Sequence, residues 1–308
     1  MRMIRIDLEH PRKPKIPLAA CIGYFDGMHR GHQALIHRTE KLAQELHCES
    51  ALITFEPDPW VTIKGMSPAD AEHITTMRQR INLAVSYGIE NICILEFTKA
   101  MADLSPEEFA ERVLGQLNLS GLVCGYDFHY GYLGKGDSET LKQYGSFRVE
   151  VVEEVADGSD KISSTRISKL LEHGEIEEAE RLLGHPFEME GKVIPGRHKG
   201  TSLGFPTANI QISPEYLTPK PGVYSGSVLI DGIRHPAMIN LGHNPTMNYT
   251  ERLSLEAHIL DYSGNLYGRM LTLRFSHYLR PEIHFQSKDN LIMQLEQDVR
   301  SVRKLEHA

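Results

Sequence analysis

The sequence predicts an α/β chain of two domains: a doubly wound parallel sheet in residues 1–185, then a small antiparallel β-barrel or sandwich closed by a helix in residues 186–308. Three observations predict it. From residue 18 onward, short apolar runs alternate with longer amphipathic stretches, the rhythm of strand–helix–strand units whose crossovers make a sheet parallel. Past residue 186 the rhythm becomes strand-like segments joined by tight turns. The last stretch returns to helical spacing.

In chain order, the candidate strands of the first domain are LAACI (18–22), ALITF (51–55), ICILEF (92–97), GLVC (121–124) and VEVVEEV (149–155). Between the first two, a helix over 32–46 places Leu35, Leu42, Ala43 and Leu46 on one face. SPEEF supplies an N-cap at Ser105, proline at the first helical position and a glutamate three residues after the cap. A helical pattern over GEIEEAERLLG (174–184) ends in glycine, and Pro186 follows two residues later, which sets the domain boundary. In the second domain VYSGSVLI and RHPAMINL flank Asp231-Gly232, a strong hairpin signal. SLEAHILDY and MLTLRF are further strands, and Leu291, Ile292, Leu295, Val299 and Val302 mark a terminal helix over 287–305. No internal repeat interrupts this plan. Two domains on one chain suggest two linked activities, or one activity and a regulator.

Composition narrows the class. A formal charge of −8 over 308 residues, with no basic stripe interleaved with aromatics, argues against nucleic acid as a partner and leaves room for a local basic cleft that takes phosphates. No run approaches the ~18 apolar residues of a membrane span, and the charged N-terminus lacks the apolar core of a signal peptide, so the expected location is cytoplasmic with no membrane partner. Four cysteines, Cys21, Cys48, Cys93 and Cys124, are widely spaced without a CxxC, and are expected to be buried and reduced.

Two stretches carry chemistry. In CIGYFDGMHRGH (21–32) an apolar strand runs into a glycine turn and then a helix, which places the turn at the carboxyl end of a sheet strand, where open α/β folds bind ligands. Backbone N–H groups and the helix dipole favour phosphate there. His29 and His32 fall about one turn apart near the helix start, with Gly31 leaving the approach open. A metal site would need further ligands that no nearby segment offers, and an ordinary surface pair of histidines is the other alternative. In GKVIPGRHKGTSLGFPTANI (191–210), Gly196, Gly200 and Gly204 can form a flap approached closely by a ligand. Thr207 and Asn209, two apart on an extended segment, face one side and suit oxygen coordination of magnesium bound to phosphates. In SLEAHIL the alternation turns Leu255, Ala257 and Ile259 one way and Glu256 and His258 the other; alone, this reads as a solvated strand face.

GYFDGMHRGH resembles the GxFDxxHxGH signature of the nucleotidyltransferase superfamily. TFEPDP (54–59), LSPEEF (104–109), GYDFHYG (125–131), GDSETL (136–141) and ISSTRIS (162–168) follow in order. Together they resemble the FAD synthetase module of the bacterial bifunctional riboflavin kinase/FAD synthetase family. LGFPTAN (203–209), PGVYSG (221–226), INLGHNPT (239–246), LEAHILDYSGNLYG (255–268) and LRPEIHF (279–285) resemble its riboflavin kinase module. The resemblance implies a Rossmann-like nucleotidyltransferase domain followed by a barrel, and a cytoplasmic enzyme acting on riboflavin, FMN, FAD and ATP with Mg2+. It implies that His29 and His32 hold nucleotide phosphates and stabilise the charge that develops at the attacked α-phosphorus. Gly23, Phe25, Asp26, Gly31, Asp127, Ser164 and Thr165 accompany them in nucleotide binding. In the second module Gly196, Gly200 and Gly204 belong to the flap, Thr207 and Asn209 engage Mg-ATP, and Glu256 is the base toward the riboflavin 5′-hydroxyl.

Two positions depart from the family pattern: Asp58 stands where histidine is usual, and Ser168 where arginine is usual. Arg166 does not simply substitute for the latter, since residues two apart on a helix differ by about 200°, while Lys169, offset by about 100°, reaches only with some rearrangement. The resemblance leaves two rivals to a fully bifunctional enzyme: a kinase with a weakened adenylyltransferase domain, and a non-catalytic flavin or nucleotide sensor.

Overall fold

A computed structural model describes residues 1–9, 13–67, 71–196, 203–243 and 253–306. The chain divides into two compact units, Met1–Ser164 and Thr165–Ala308. Strands β1 (Arg2–Ile6) and β2 (Leu18–Ile22) are followed by α1 (Arg30–Leu46), β3 (Glu49–Glu56), α2 (Pro59–Lys64), α3 (Met77–Ser86) and β4 (Asn91–Glu96). Then come α4 (Lys99–Ala102), α5 (Pro106–Arg112), β5 (Leu119–Gly125), α6 (Ser138–Tyr144), β6 (Arg148–Val152) and a small hairpin of β7 (Ala156–Asp157) and β8 (Asp160–Lys161).

The first unit holds a six-stranded sheet in the order β1-β4-β3-β2-β5-β6, parallel at every pairing. Helix α1 covers one face through Leu35, Ile36, Leu42 and Ala43; the other face packs Phe109, Val113, Leu117 and Leu141. That two-sided cover is the doubly wound arrangement. Consecutive connections leave β2 toward β3 on one side, and β5 lies on the other, so the loop after β2 opens at the topological switch point.

The capping box at Ser105 forms as the sequence predicts, with Glu108 Oε2 accepting from the Ser105 N–H at 2.8 Å. Two local expectations need correction. VEVVEEV is a strand only to Val152, because the acidic Glu153 and Glu154 carry the chain out of the sheet. β1 is a strand that alternation did not reveal: it is an edge strand whose Arg2 and Arg5 sit in solvent and pair with Glu49 and Glu56, the charged dressing that edges carry.

The second unit begins within α7 (Ser164–His173) and continues with α8 (Ile176–Leu183), β9 (Phe187–Ile194), β10 (Ala208–Ile212), β11 (Gly222–Ile230), β12 (Ile233–His243), β13 (Leu253–Ile259), β14 (Met270–Arg280) and α9 (Lys288–Glu306). Its six strands close into an antiparallel barrel in the order β10-β13-β12-β11-β14-β9, so the barrel, not the sandwich, is correct. Asp231 and Gly232 both have left-handed φ (50° and 82°), the geometry that a two-residue hairpin turn demands and that glycine and aspartate tolerate. Leu255, Ala257 and Ile259 face the core as the alternation predicts. Val302 of α9 packs with Val223, Met238 and Leu260, while Leu295 and Val299 lie partly buried against them.

Candidate functional site

Each unit carries its own cluster. In the first, β2 ends at Ile22, and the Gly23 N–H donates to the Ile53 carbonyl (3.1 Å), extending the β2–β3 pairing by one residue. The chain then leaves the sheet through left-handed Phe25 (φ 62°), Gly27 (φ 73°) and Met28 (φ 43°). Left-handed backbone at Phe25 and Met28 costs energy, which the surroundings offset by clamping Asp26. Its carboxylate accepts from the Ile74 and Thr75 N–H groups at 3.1 and 3.0 Å and from the Thr75 hydroxyl at 3.2 Å. Thr75 Oγ1 also accepts from the Gly27 N–H (2.9 Å), and the Ser164 hydroxyl donates to the Asp26 carbonyl (2.9 Å). Asp26 and Ser164 are thus brought together as scaffold of the turn. Thr165 lies in the first turn of α7 and opens the second unit.

His29 caps α1, so it stands just outside the helix that begins at Arg30. The His32 N–H donates to His29 Nδ1 at 3.4 Å, and the two rings stack with centroids 3.7 Å apart. A neutral His29 therefore carries its proton on Nε2, as a donor. Gly31 makes the stacking possible: a Cβ there would meet the His29 ring at 3.1 Å. The buried Phe25 ring stands edge-on to His32 at 5.2 Å, a wall behind the pair. Burial holds His32 well below the usual imidazole range, with His29, Arg80 and Lys161 adding to the depression. Its Nδ1 is buried without a hydrogen-bond partner among the described residues. The Asp127 carboxylate pairs with Lys161, so the predicted nucleotide residue and this cation arrive together.

Arg80, Tyr24 and His73 join this cluster although no sequence pattern singles them out. Arg80 lies on the buried face of α3, four residues before buried Ala84, and a cation at such a position was the available signal. The Tyr24 phenol lies 3.0 Å from His73 Nε2, and burial pushes it up to about 12 although Arg80 pulls the other way. Asp58 caps α2 through the Trp60 N–H (2.7 Å) and sits 3.9 Å from His73. Cys21, Cys93 and Cys124 are buried free thiols; burial raises the first two to about 12 and Cys124 to about 11. Cys48 is only half-buried, which corrects the expectation for that residue.

In the second unit, Asn209 on β10 and Asn240 on β12 flank Glu256 on β13 as its register partners. The Thr207 hydroxyl donates to Glu256 Oε2 at 3.1 Å. A Cβ on Gly196 would overlap the Asn209 carboxamide, so only glycine permits that approach. Gly204 has left-handed φ (87°) with open space beside it, and Gly200 lies outside the described residues. Thr207, Asn240 and Glu256 line a cavity of ≈ 290 Å³ whose other walls include Phe205, Met238 and Leu295. Its apolar walls suit a flat aromatic ring, and its polar edge carries the carboxylate. Asn240, another residue that alternation did not flag, faces the cavity because it shares Glu256's register. Arg280 also lines the cavity, held by the buried Asp298 carboxylate at 2.7–3.1 Å, and Gln294 donates to the same carboxylate at 2.8 Å.

Comparison with known proteins finds two family models in succession along the chain. A FAD synthetase family model matches residues 12–166, and a riboflavin kinase model matches residues 183–306. A protein from Listeria monocytogenes is 36% identical over 92% of this chain and 90% of its own length, and one from Pseudomonas fluorescens 36% over 99% and 98%. One from Escherichia coli is 30% identical over 99% and 97%. All three are named bifunctional riboflavin kinase/FMN adenylyltransferase. A crystal structure from Streptococcus pneumoniae, described as a macrolide-efflux protein, superposes with a TM-score of 0.90 at 30% identity, covering 98% of this chain and 99% of that one. No helix among the described residues is long and apolar enough to cross a membrane.

Proposed function

This chain belongs to the bifunctional riboflavin kinase/FMN adenylyltransferase family, and from that premise we propose how its residues divide the work: riboflavin and ATP give FMN and ADP in residues 186–308, then FMN and ATP give FAD and pyrophosphate in residues 1–185. The observation that supports the reading is the Thr207–Glu256 hydrogen bond at the polar edge of an apolar cavity, which fits Glu256 as a base and Thr207 as a phosphate-site hydroxyl. We place the enzyme in the cytoplasm, with no nucleic acid or membrane partner.

In the kinase reaction the riboflavin 5′-oxygen attacks the γ-phosphorus of ATP, the bond from that phosphorus to the bridging oxygen breaks, and the hydroxyl proton passes to the Glu256 carboxylate. The isoalloxazine ring lies against Phe205, Met238 and Leu295. Neutral oxygens from Thr207 and Asn209 would hold Mg2+, a hard cation that takes oxygen ligands, and Gly196 leaves room beside it for the Asn209 carboxamide. When bound, the ion neutralises phosphate charge.

In adenylyl transfer an FMN phosphate oxygen attacks the α-phosphorus of ATP and pyrophosphate leaves. The chemistry asks for placement and charge stabilisation more than proton transfer. Gly23, Phe25, Asp26, Gly31 and Ser164 shape the turn, while His29 donates from Nε2. Asp127 completes the nucleotide set of the first unit. Phosphate next to His32 opposes the depression of its pKa, so the ring gains positive character when substrate binds. Given FMN, ATP and magnesium, the purified chain forms FAD and pyrophosphate; no FAD at high enzyme concentration sinks this half of the reading.

A further inference from the structure

Arg80 is 2% exposed, and among the described residues it makes no ion pair. Its guanidinium lies over the Tyr24 ring at 4.2 Å. Nη1 donates to the Tyr24 carbonyl (3.1 Å), Nη2 to the Tyr24 phenol oxygen (3.2 Å), and Nε is buried with no partner. Every acceptor is neutral. Among the described residues no carboxylate pairs with Arg80: Asp26 is engaged by Ile74 and Thr75, while Asp58 accepts from Trp60 and faces His73. Arginine cannot shed its proton to escape burial, so a guanidinium placed this way is a standing cost to the fold. Such a cost is sustained where an anion arrives with the ligand.

The placement points to that anion. Tyr24 lies within the turn that carries His29 and His32, and Arg80 fixes both its carbonyl and its phenol. Thr54 donates to the same carbonyl at 3.2 Å, so the turn is held from two sides. Among the described residues, the charged and titratable groups that act on His32 are His29, Arg80 and Lys161, none of them acidic, and the Phe25 ring stands edge-on to it. We infer that Arg80 is a positioning residue of the adenylyl-transfer site, its charge reserved for the triphosphate of ATP and exerted through the Tyr24 turn and His32. This rests on the reading of the first unit as an adenylyltransferase.

Arg80→Gln and Arg80→Lys in the full chain test it, with FAD formation from FMN and Mg-ATP measured beside FMN formation from riboflavin on the same preparation. The expected loss for Arg80→Gln is about 100-fold in kcat/KM for ATP in FAD formation, the scale on which a preorganised charge-stabilising donor acts. Arg80→Lys recovers much of that loss, and FMN formation is unchanged in both. The His32 ring, followed by NMR titration, moves upward in Arg80→Gln because one depressing cation is gone. Three results overturn the proposal: FAD formation by Arg80→Gln close to wild type, equal losses in both variants, or an unmoved His32 titration. A wild-type chain that makes no FAD at all instead removes the reading of the unit, and the proposal with it.

Discussion

Glu256→Gln isolates the base from the scaffold. Glutamine has the shape of glutamate, and its Oε1 can still accept the Thr207 hydroxyl that now reaches Glu256 at 3.1 Å. Glu256 has a neutral hydroxyl partner, so removing its charge strands no cation in that bond. Unfolding stability is therefore expected to change by less than about 1 kcal/mol, the worth of one ordinary hydrogen bond. Catalysis differs, because the amide cannot take the proton from the riboflavin 5′-hydroxyl. General-base catalysis contributes about 10²- to 10⁴-fold, or about 3 to 5 kcal/mol of barrier. The assay is single-turnover FMN formation by rapid quench, which keeps product release from masking the chemical step. FAD formation from supplied FMN, run on the same preparation, serves as the control. Single-turnover FMN formation within about threefold of wild type would refute the assignment, because a residue that takes the proton in the transition state contributes far more than that.

Two further outcomes follow from the geometry. Asp298→Ala leaves the Arg280 guanidinium without its buried carboxylate and is expected to destabilise the second unit by about 3 kcal/mol, the lower end for a broken buried pair because Arg280 borders a cavity; a loss below about 1 kcal/mol in urea unfolding contradicts that role. His32 is held neutral in the folded chain while an unfolded histidine titrates near 6.5, so below that pH the unfolded state binds the extra proton and stability falls with acid, by up to about 1.4 kcal/mol per pH unit until the folded ring titrates. Above that pH the contribution is fully present. His32→Asn flattens this acid limb, and an unchanged limb contradicts the assignment.

The fold was legible where a periodic pattern had one physical cause. Buried strands such as LAACI and the Ser105 capping box announce themselves because burial and capping act on neighbours in sequence. β1 was hidden because an edge strand needs solubility more than burial, and its arginines erase the apolar signal. At the sites, His29 and His32 lie in one short motif and stack, whereas Thr207 and Glu256 meet only in the fold, and the alternation around Glu256 alone reads as a solvated strand face. Arg80, Asn240 and Arg280 were not legible, because their roles arise from what distant segments bring beside them. The two arginines of MRQRINLAV read alike as a solvated helix face until α3 is laid against the Tyr24 turn, where Arg80 is buried. Asn240 becomes a site residue only through its register with Glu256.

One chain performs two successive transfers. Incubating the purified protein with riboflavin and Mg-ATP and resolving flavins, ADP and pyrophosphate over time tests it directly. The expected course is FMN rising first with ADP in equal amount, then FAD with pyrophosphate in equal amount. FMN that accumulates with no FAD, or no product of either kind, contradicts it.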